Sequence, residues 1–302
     1  MKFTLHIPVG VVEPREEFQS ANAVRQMATA IEEAGAEACY VTDHPAPMAE
    51  WLLANGHDAV DPFTALAFAA ATTSRLKLHT NVLIPAYRNP FLTAKAAATL
   101  DVLSGGRLIL GVGSGYMRGE FEALGVDFAK RGALMDEALE TIKMAWGGQV
   151  VVKKGLNFDA AGNLPRPAPS PHPPIWIGGG SDRAIRRAAE WGDGWSPFFA
   201  APGLSQLNRD TAIASVEHLG EKIGLLRESL DKAGRRGAFD ICIGPRTRPK
   251  SNTRAEADRY LEAVAELAAV GVNWITADVP HPSRAAYLEN VQWFGEEIIA
   301  RS

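Results

Sequence analysis

The amino-acid sequence predicts a (β/α)8 barrel, and three observations carry that expectation. Eight strand-like stretches alternate with eight helix-like ones along 302 residues, the pattern of parallel strands ringed by helices. Gly35, Gly105-Gly106, Gly192, Gly234 and Gly271 stand where helices should stop, because a turn of unusual backbone angle suits a residue without a side chain. No linker interrupts the alternation, so residues 1–302 read as one domain. An open doubly wound sheet is the other architecture with this alternation.

Taken in order, the chain enters its first strand at once, over residues 3–9. A helix over 21–34 ends at Gly35. The second strand, 38–42, holds Cys39 in an apolar run and is followed by a long loop, 44–61, and a helix over 62–73. Strand 77–82 leads to a helix over 90–103, stopped by the glycine pair. Strand 107–113 ends in spaced glycines, Gly111, Gly113 and Gly115, before a helix over 131–146. Residues 149–173 leave the pattern: 149–154 and 156–159 form a hairpin around Gly155, then Pro165, Pro167, Pro169, Pro171, Pro173 and Pro174 give a stiff extended path. Ile175, Trp176 and Ile177 form the buried fifth strand, within 174–178. Ser181 or Asp182 caps a helix over 182–191 that buries Ile185, Ala188 and Ala189. Strand 194–197, helix 205–233, strand 239–243 with Cys242, loop 244–253, helix 254–269, strand 272–277 and helix 283–299 complete the eight units.

Composition narrows the function. A hydrophobic share of 46% supports a large core, and a net charge of −4 shows no basic face for nucleic acid. No apolar run approaches the ~20 residues that span a bilayer. The start of the chain lacks the features of a signal peptide, so the cytoplasm is the expected compartment. Cys39 and Cys242 read as buried, reduced thiols.

In a barrel the strand carboxyl ends form the face where active sites are built, so the residues at those ends are the candidates. Gly178-Gly179-Gly180-Ser181 removes side chains where a strand feeds a helix N-terminus, a place that suits a phosphate. A tight turn that needs glycine only for its angles is the alternative. The glycines ending strand 107–113 add a second bare rim, and together they suit an extended cofactor lying across the sheet edge. Asp43-His44 ends the second strand, where a carboxylate beside an imidazole can hold a ring or handle a proton; a capped turn is the plainer reading. Asn81 ends the third strand with amide donors. Arg88 either meets a phosphate or, more ordinarily, sits solvated at the rim. His6 and His79 lie within strands, where a hydrogen-bonded core role outweighs metal ligation. No His-Glu-x-x-His, Cys-x-x-Cys or Gly-x-Ser-x-Gly occurs, and no lysine sits at a strand end, which disfavours a metal site, a serine hydrolase and a Schiff base. Chemistry on this face then points to an organic cofactor. The basic loop with Arg246, Arg248, Lys250 and Arg254 can attract an anionic tail or be a solvated loop.

As a set, these motifs resemble the bacterial luciferase-like monooxygenase superfamily. The resemblance rests on Val41-Thr42-Asp43-His44, residues 80–90, residues 100–113, Pro174-Ile175-Trp176-Ile177-Gly178-Gly179-Gly180 and Gly192-Asp193-Gly194-Trp195. It is similar in style to the coenzyme F420-dependent branch and covers roughly residues 3–200; beyond that only the alternation matches. It implies a luciferase-like TIM barrel with F420, or alternatively FMN, at the carboxyl-end face. It implies a cis peptide at Asn81–Val82, a ring flanked by Asp43 and Asn81, backbone approach at Gly113, Ser114, Gly115 and Tyr116, and phosphate at Gly179, Gly180 and Ser181. His44 matches the family's histidine beside the reacting ring. Tyr116 stands where the family's glucose-6-phosphate dehydrogenases carry a catalytic glutamate, which disfavours sugar-phosphate oxidation and makes Tyr116 a candidate proton carrier. The expected function is hydride transfer between the deazaflavin and a small organic substrate. An oxygen-using FMN monooxygenase and a non-catalytic cofactor-binding barrel are the alternatives. A homodimer without nucleic-acid or membrane partners is the expected assembly.

Overall fold

A computed structural model describes residues 1–11, 13–54, 56–200 and 211–302. Its elements run β1 (Lys2–His6), α1 (Arg15–Phe18), α2 (Ala21–Glu33), β2 (Ala38–Val41), α3 (Ala49–Leu53), α4 (Pro62–Thr72), β3 (Lys77–Thr80), α5 (Pro90–Ser104), β4 (Leu108–Val112), α6 (Arg118–Ala123) and α7 (Arg131–Trp146). Then come β5 (Val151–Lys154), β6 (Asp159–Asn163), β7 (Ile175–Gly178), α8 (Asp182–Trp191), β8 (Gly194–Ser196), α9 (Val216–Lys232), β9 (Asp240–Ile241), α10 (Arg254–Val270), β10 (Trp274–Ala277) and α11 (Arg284–Glu297). Eight strands pair in the order β10-β1-β2-β3-β4-β7-β8-β9, and every pairing is parallel. Cys242, just past β9, bridges Trp274 in β10, so the sheet closes on itself and the open-sheet alternative falls away.

Helix starts follow from short polar side chains that accept first-turn amides: Ser20 from Ala23, Asp61 from Thr64, Ser181 from Ala184, Thr253 from Glu256 and Ser283 from Ala286. Gly105 and Gly271 end α5 and α10 with φ of 75° and 110°, angles that other residues adopt only with strain.

Two expectations need correction. The helix expected over 205–233 begins only at Val216, capped by Ser215. Residues 205–210 of that stretch lie outside the described residues, and Ile213 instead pairs with Phe199 in extended form. The hairpin's second strand is Asp159–Asn163 rather than 156–159. Residues 155–158 are its turn, closed by the Gly155 amide donating to Phe158 O at 2.9 Å, while Glu137 accepts the Leu156 amide at 2.7 Å.

Alternation along each strand sends one set of side chains outward onto the helices and the other inward. Ala38, Ile109, Trp176, Cys242 and Trp274, contributed by five different staves of the barrel, form one inner cluster. The Trp176 and Trp274 rings meet edge-on at 5.0 Å, and His79 meets Trp176 at 4.9 Å. Thr4 Oγ1 lies 3.4 Å from His79 Nδ1, so β1 faces β3 across this floor. Both cysteines are buried and free.

Gly111 shows how tightly the floor is filled. A Cβ there would meet the Thr80 carbonyl oxygen and come 2.7 Å from His79 Nε2. Gly111→Ala is therefore expected to lower stability by about 1–3 kcal/mol, the usual range for overpacking. A urea midpoint equal to that of the wild type would contradict this packing.

Candidate active site

The strand carboxyl ends carry the candidate residues, and the first of them is a clamp. Asp43 follows β2 and is 3% exposed. Its carboxylate accepts the Ile84 amide at 3.0 Å and two Arg88 bonds at 2.7 and 2.8 Å. Burial alone pulls the Arg88 guanidinium down, but Asp43 outweighs it and holds Arg88 above its ordinary value. Arg88 is thus a bound partner rather than the solvated rim residue of the plainer reading. With three donors on its carboxylate, Asp43 ties the end of β2 to the turn after β3.

That turn contains the Asn81–Val82 bond, which is cis, as the family resemblance implies. The Asn81 amide donates to Val41 O at 2.8 Å, and the Leu83 amide to Gly111 O at 2.8 Å. The Val82 side chain wedges between two strands: a Cβ at Gly113 would lie 2.8 Å from Val82 Cγ2, and one at Gly178 would lie 3.1 Å from Val82 Cγ1. Two of the rim glycines therefore make room for Val82. Gly115 has φ +74°, and a Cβ there would press on Phe121 at 2.8 Å. Ser114 lies between them, half-buried.

His44 is the centre of the site. Its Nδ1 lies 3.2 Å from Glu120 Oε2. Glu120 belongs to α6 and is 1% exposed. It also accepts the Tyr87 hydroxyl at 2.9 Å and the Ala46 amide at 3.3 Å. An ionised carboxylate only accepts, so we assign the donor hydrogen to His44 Nδ1, which leaves Nε2 as the nitrogen that can take or hold a proton. Aromatic rings pack around it: Trp51 and His57 each at 4.9 Å and Tyr116 at 6.2 Å. Burial, then the neighbouring His44, lowers the His57 imidazole to about 4. Burial, then the Glu120 charge, raises the Tyr116 phenol to about 12, so near neutral pH Tyr116 offers a hydroxyl rather than a phenolate.

The β7 end differs from the expectation in one respect. The Gly179 amide donates to Ser196 O at 3.3 Å and the Gly180 amide to Thr211 O at 2.8 Å. Neighbouring backbone along the rim thus engages the two amides expected to receive a phosphate. Ser181 Oγ caps α8 by accepting the Ala184 amide at 3.2 Å. Of the α8 first-turn amides, those of Asp182 and Arg183 are not engaged by this cap and have no acceptor within their own helix.

Positive charge gathers beside that helix start. Arg131 is depressed by burial and then by Arg118, Arg183 and Arg187. The Arg118 and Arg131 guanidiniums lie 4.5 and 4.2 Å from the Phe128 ring centroid. Arg187 pairs with Asp136. In the 246–254 loop, by contrast, Arg248 pairs with Asp278 at 2.5 Å, Arg254 with Glu297 at 2.8 Å and Asp258 at 3.3 Å, and Arg246 donates to Ala214 O at 2.7 Å. Arg246, Arg248 and Arg254 of that loop are thus each engaged by a neighbouring group of the protein.

Among the described residues no group of three or more His, Cys, Asp or Glu side chains could hold a metal ion. No helix among them is long and apolar enough to cross a membrane. Sequence reasoning missed Glu120, His57 and Trp51. Glu120 had a signal: it lies four residues beyond Tyr116, close to where the resemblance calls for a glutamate and finds none.

Similar proteins share this architecture. An uncharacterized protein of Mycobacterium tuberculosis is 36% identical over 170 residues, covering 56% of this chain and 57% of that protein. The phthiodiolone/phenolphthiodiolone dimycocerosates ketoreductase of Mycobacterium kansasii is 30% identical over 234 residues, covering 75% and 60%. The chain thus spans less than two thirds of the length of these relatives. An F420-dependent secondary alcohol dehydrogenase in complex with an F420-acetone adduct superposes with a TM-score of 0.79 at 16% identity, covering 100% and 99% of the two chains. The FMN-bound oxygenating constituent of 3,6-diketocamphane monooxygenase from Pseudomonas putida gives 0.77 at 15% identity, covering 100% and 98%. The family model for luciferase-like monooxygenases matches residues 1–300, and the chain belongs to that family.

Proposed function

We propose that this protein is a coenzyme F420-dependent oxidoreductase that moves hydride between the deazaflavin and a small carbonyl compound or alcohol. The observation that carries the reading is the His44–Glu120 pair, 3.2 Å apart and almost fully buried at the carboxyl-end face, with Glu120 on a helix whose Phe121 packs in one cluster with Val82. The residues fit such a cofactor. The Val82 side chain, seated against Gly113 and Gly178, and the half-buried Ser114 beside it offer a surface for a flat ring, the α8 start offers amides for a phosphate, and Arg118, Arg131 and Arg183 offer charge for the anionic tail beyond it. Bound there, the deazaflavin supplies a ring carbon that gives or takes hydride. Reduction of a carbonyl adds that hydride to carbon and a proton to oxygen; oxidation of the alcohol reverses both. His44 Nε2, held in one orientation by Glu120, handles a proton beside the ring, and Trp51 and His57 pack against the imidazole. The Tyr116 hydroxyl is a second donor on the same side.

Support also comes from the ketoreductase named above and from the fold shared with the alcohol dehydrogenase. The test is fluorescence titration of the purified protein with F420 and with FMN at several salt concentrations. F420 is expected to bind more tightly, with a margin that shrinks as salt screens the arginines. The double variant Arg118→Gln/Arg183→Gln is expected to weaken F420 about tenfold, in keeping with charge-assisted contacts. Tighter FMN binding at every ionic strength, or FMN co-purifying with the protein, favours the monooxygenase instead. Binding with no turnover of any carbonyl or alcohol favours a carrier.

A further inference from the structure

The barrel mouth has a second half. His6 ends β1, and Thr4, two residues earlier on the same strand, meets His79 across the interior, so His6 also faces inward. Tyr40, two residues past the interior Ala38, stacks on His6 with ring centroids 5.1 Å apart at 27°. Asp278 follows β10 at the neighbouring stave. Its Oδ1 lies 3.5 Å from His6 Nδ1 and 3.5 Å from His281 Nδ1. Arg248 pairs with the other oxygen. The Tyr287 hydroxyl donates to His6 O at 2.5 Å and holds the strand end in place.

Two details make this more than a packed corner. His6 Nδ1 and Asp278 Oδ1 are both buried, and neither makes a hydrogen bond among the described residues; they face each other at a separation that a bound molecule can tighten. His57 also lies between the two halves. Its ring is 4.9 Å from that of His44, and its neighbour Asp58 donates its amide to Gly10 O, just beyond β1, at 3.0 Å. Four of the seven histidines, His6, His44, His57 and His281, thus ring one mouth.

The charges on this wall are paired with one another. Burial would raise the Asp278 carboxyl, but His6, His281 and Arg248 outweigh it and hold it well below the usual range. Against the effect of burial, Asp278 in turn holds the His281 imidazole above its ordinary value, so Arg248 and His281 are both already paired with Asp278 and the wall offers an anion no cation that is not already engaged. Burial, then the Asp278 charge, keeps the Tyr40 phenol far above its ordinary value, as a hydroxyl donor.

We propose that His6, oriented by Asp278 and Tyr40, grips the substrate's oxygen atom, and that the substrate is an uncharged ketone or alcohol rather than a carboxylate or phosphate. This rests on the oxidoreductase reading above for its chemistry, although not for its test. The test uses histidine ring 15N–1H spectra of the full-length protein without added cofactor, titrated with cyclohexanone and, separately, with cyclohexanecarboxylate. Cyclohexanone is expected to move the His6 resonances saturably, and the carboxylate to leave them in place. His6→Gln and Asp278→Asn, each checked for wild-type melting, are expected to weaken the ketone about tenfold and to leave F420 and FMN affinity within about twofold. Ketone binding that ignores both variants, tighter binding of the carboxylate, or no saturable shift at all overturns the assignment. If wild-type protein binds neither cofactor, the oxidoreductase reading fails by itself, while the ketone titration still decides the role of His6.

Discussion

Glu120→Gln is expected to lower turnover by about 100- to 10,000-fold, the range of a lost general acid–base arrangement, with cofactor affinity close to wild type. Glu120 receives three donors, from His44, Tyr87 and Ala46. A glutamine in its place brings an amino group that must face at least one of them. Turned towards Ala46, that amino group costs only the 3.3 Å contact and leaves an oxygen for His44 and Tyr87, but in either orientation the side chain is neutral, so a His44 ring that takes up a proton loses the carboxylate that balances it. His44→Ala should cost a comparable factor, and the double variant little more than either single one, because residues that act as a unit do not lose activity additively. Single-turnover rates for all three proteins, with cofactor affinity measured alongside, check this. Turnover within about threefold of wild type in Glu120→Gln would make the pair structural.

Acid stability should depend strongly on a residue outside the chemistry. Burial lowers the His79 imidazole to about 3, so His79 stays neutral in the folded barrel while the unfolded chain protonates it near its ordinary 6.5. The unfolded state then binds more protons between those values, and stability falls as the pH drops from about 6.5 towards 3. At roughly 1.4 kcal/mol per unit, this one ring accounts for a loss on the order of 4 kcal/mol. His79 Nε2 has no hydrogen-bond partner among the described residues, so an apolar replacement abandons little beyond the long contact to Thr4. His79→Leu is expected to match the wild type near pH 7 and to be the more stable protein at pH 4. Parallel urea midpoints across that interval would refute it.

What the sequence made legible follows from range. Strands and helices are local, so Gly35, Gly105 and Gly271 marked real helix ends and the eight units were all readable. The β6 segment Asp159-Ala160-Ala161-Gly162-Asn163 carries almost no strand-forming residues, and pairing with β5 alone makes it a strand. Position was legible where one residue type at a strand end sufficed: His44 and Asn81 do stand just past β2 and β3. It was illegible where a role depends on distant pairing. Glu120 is 76 residues from His44, and Arg88 is 45 from Asp43. Nothing local separates a buried carboxylate on a six-residue helix from a solvated one. The glycines at 113 and 178 were read as openings for a ligand, yet their contacts are with Val82.

The Val82 wedge has a bearing on how this rim can vary. Positions 82, 113 and 178 share a single parcel of volume, distributed among three chain segments that are far apart in sequence. Enlarging position 113 or 178 without shrinking position 82 displaces the Val82 side chain, whereas Val82→Ala creates the vacancy into which an alanine at 113 fits. Substitutions there should be tolerated in complementary pairs and rejected singly, so the depth of this part of the rim can be retuned only by coordinated exchange.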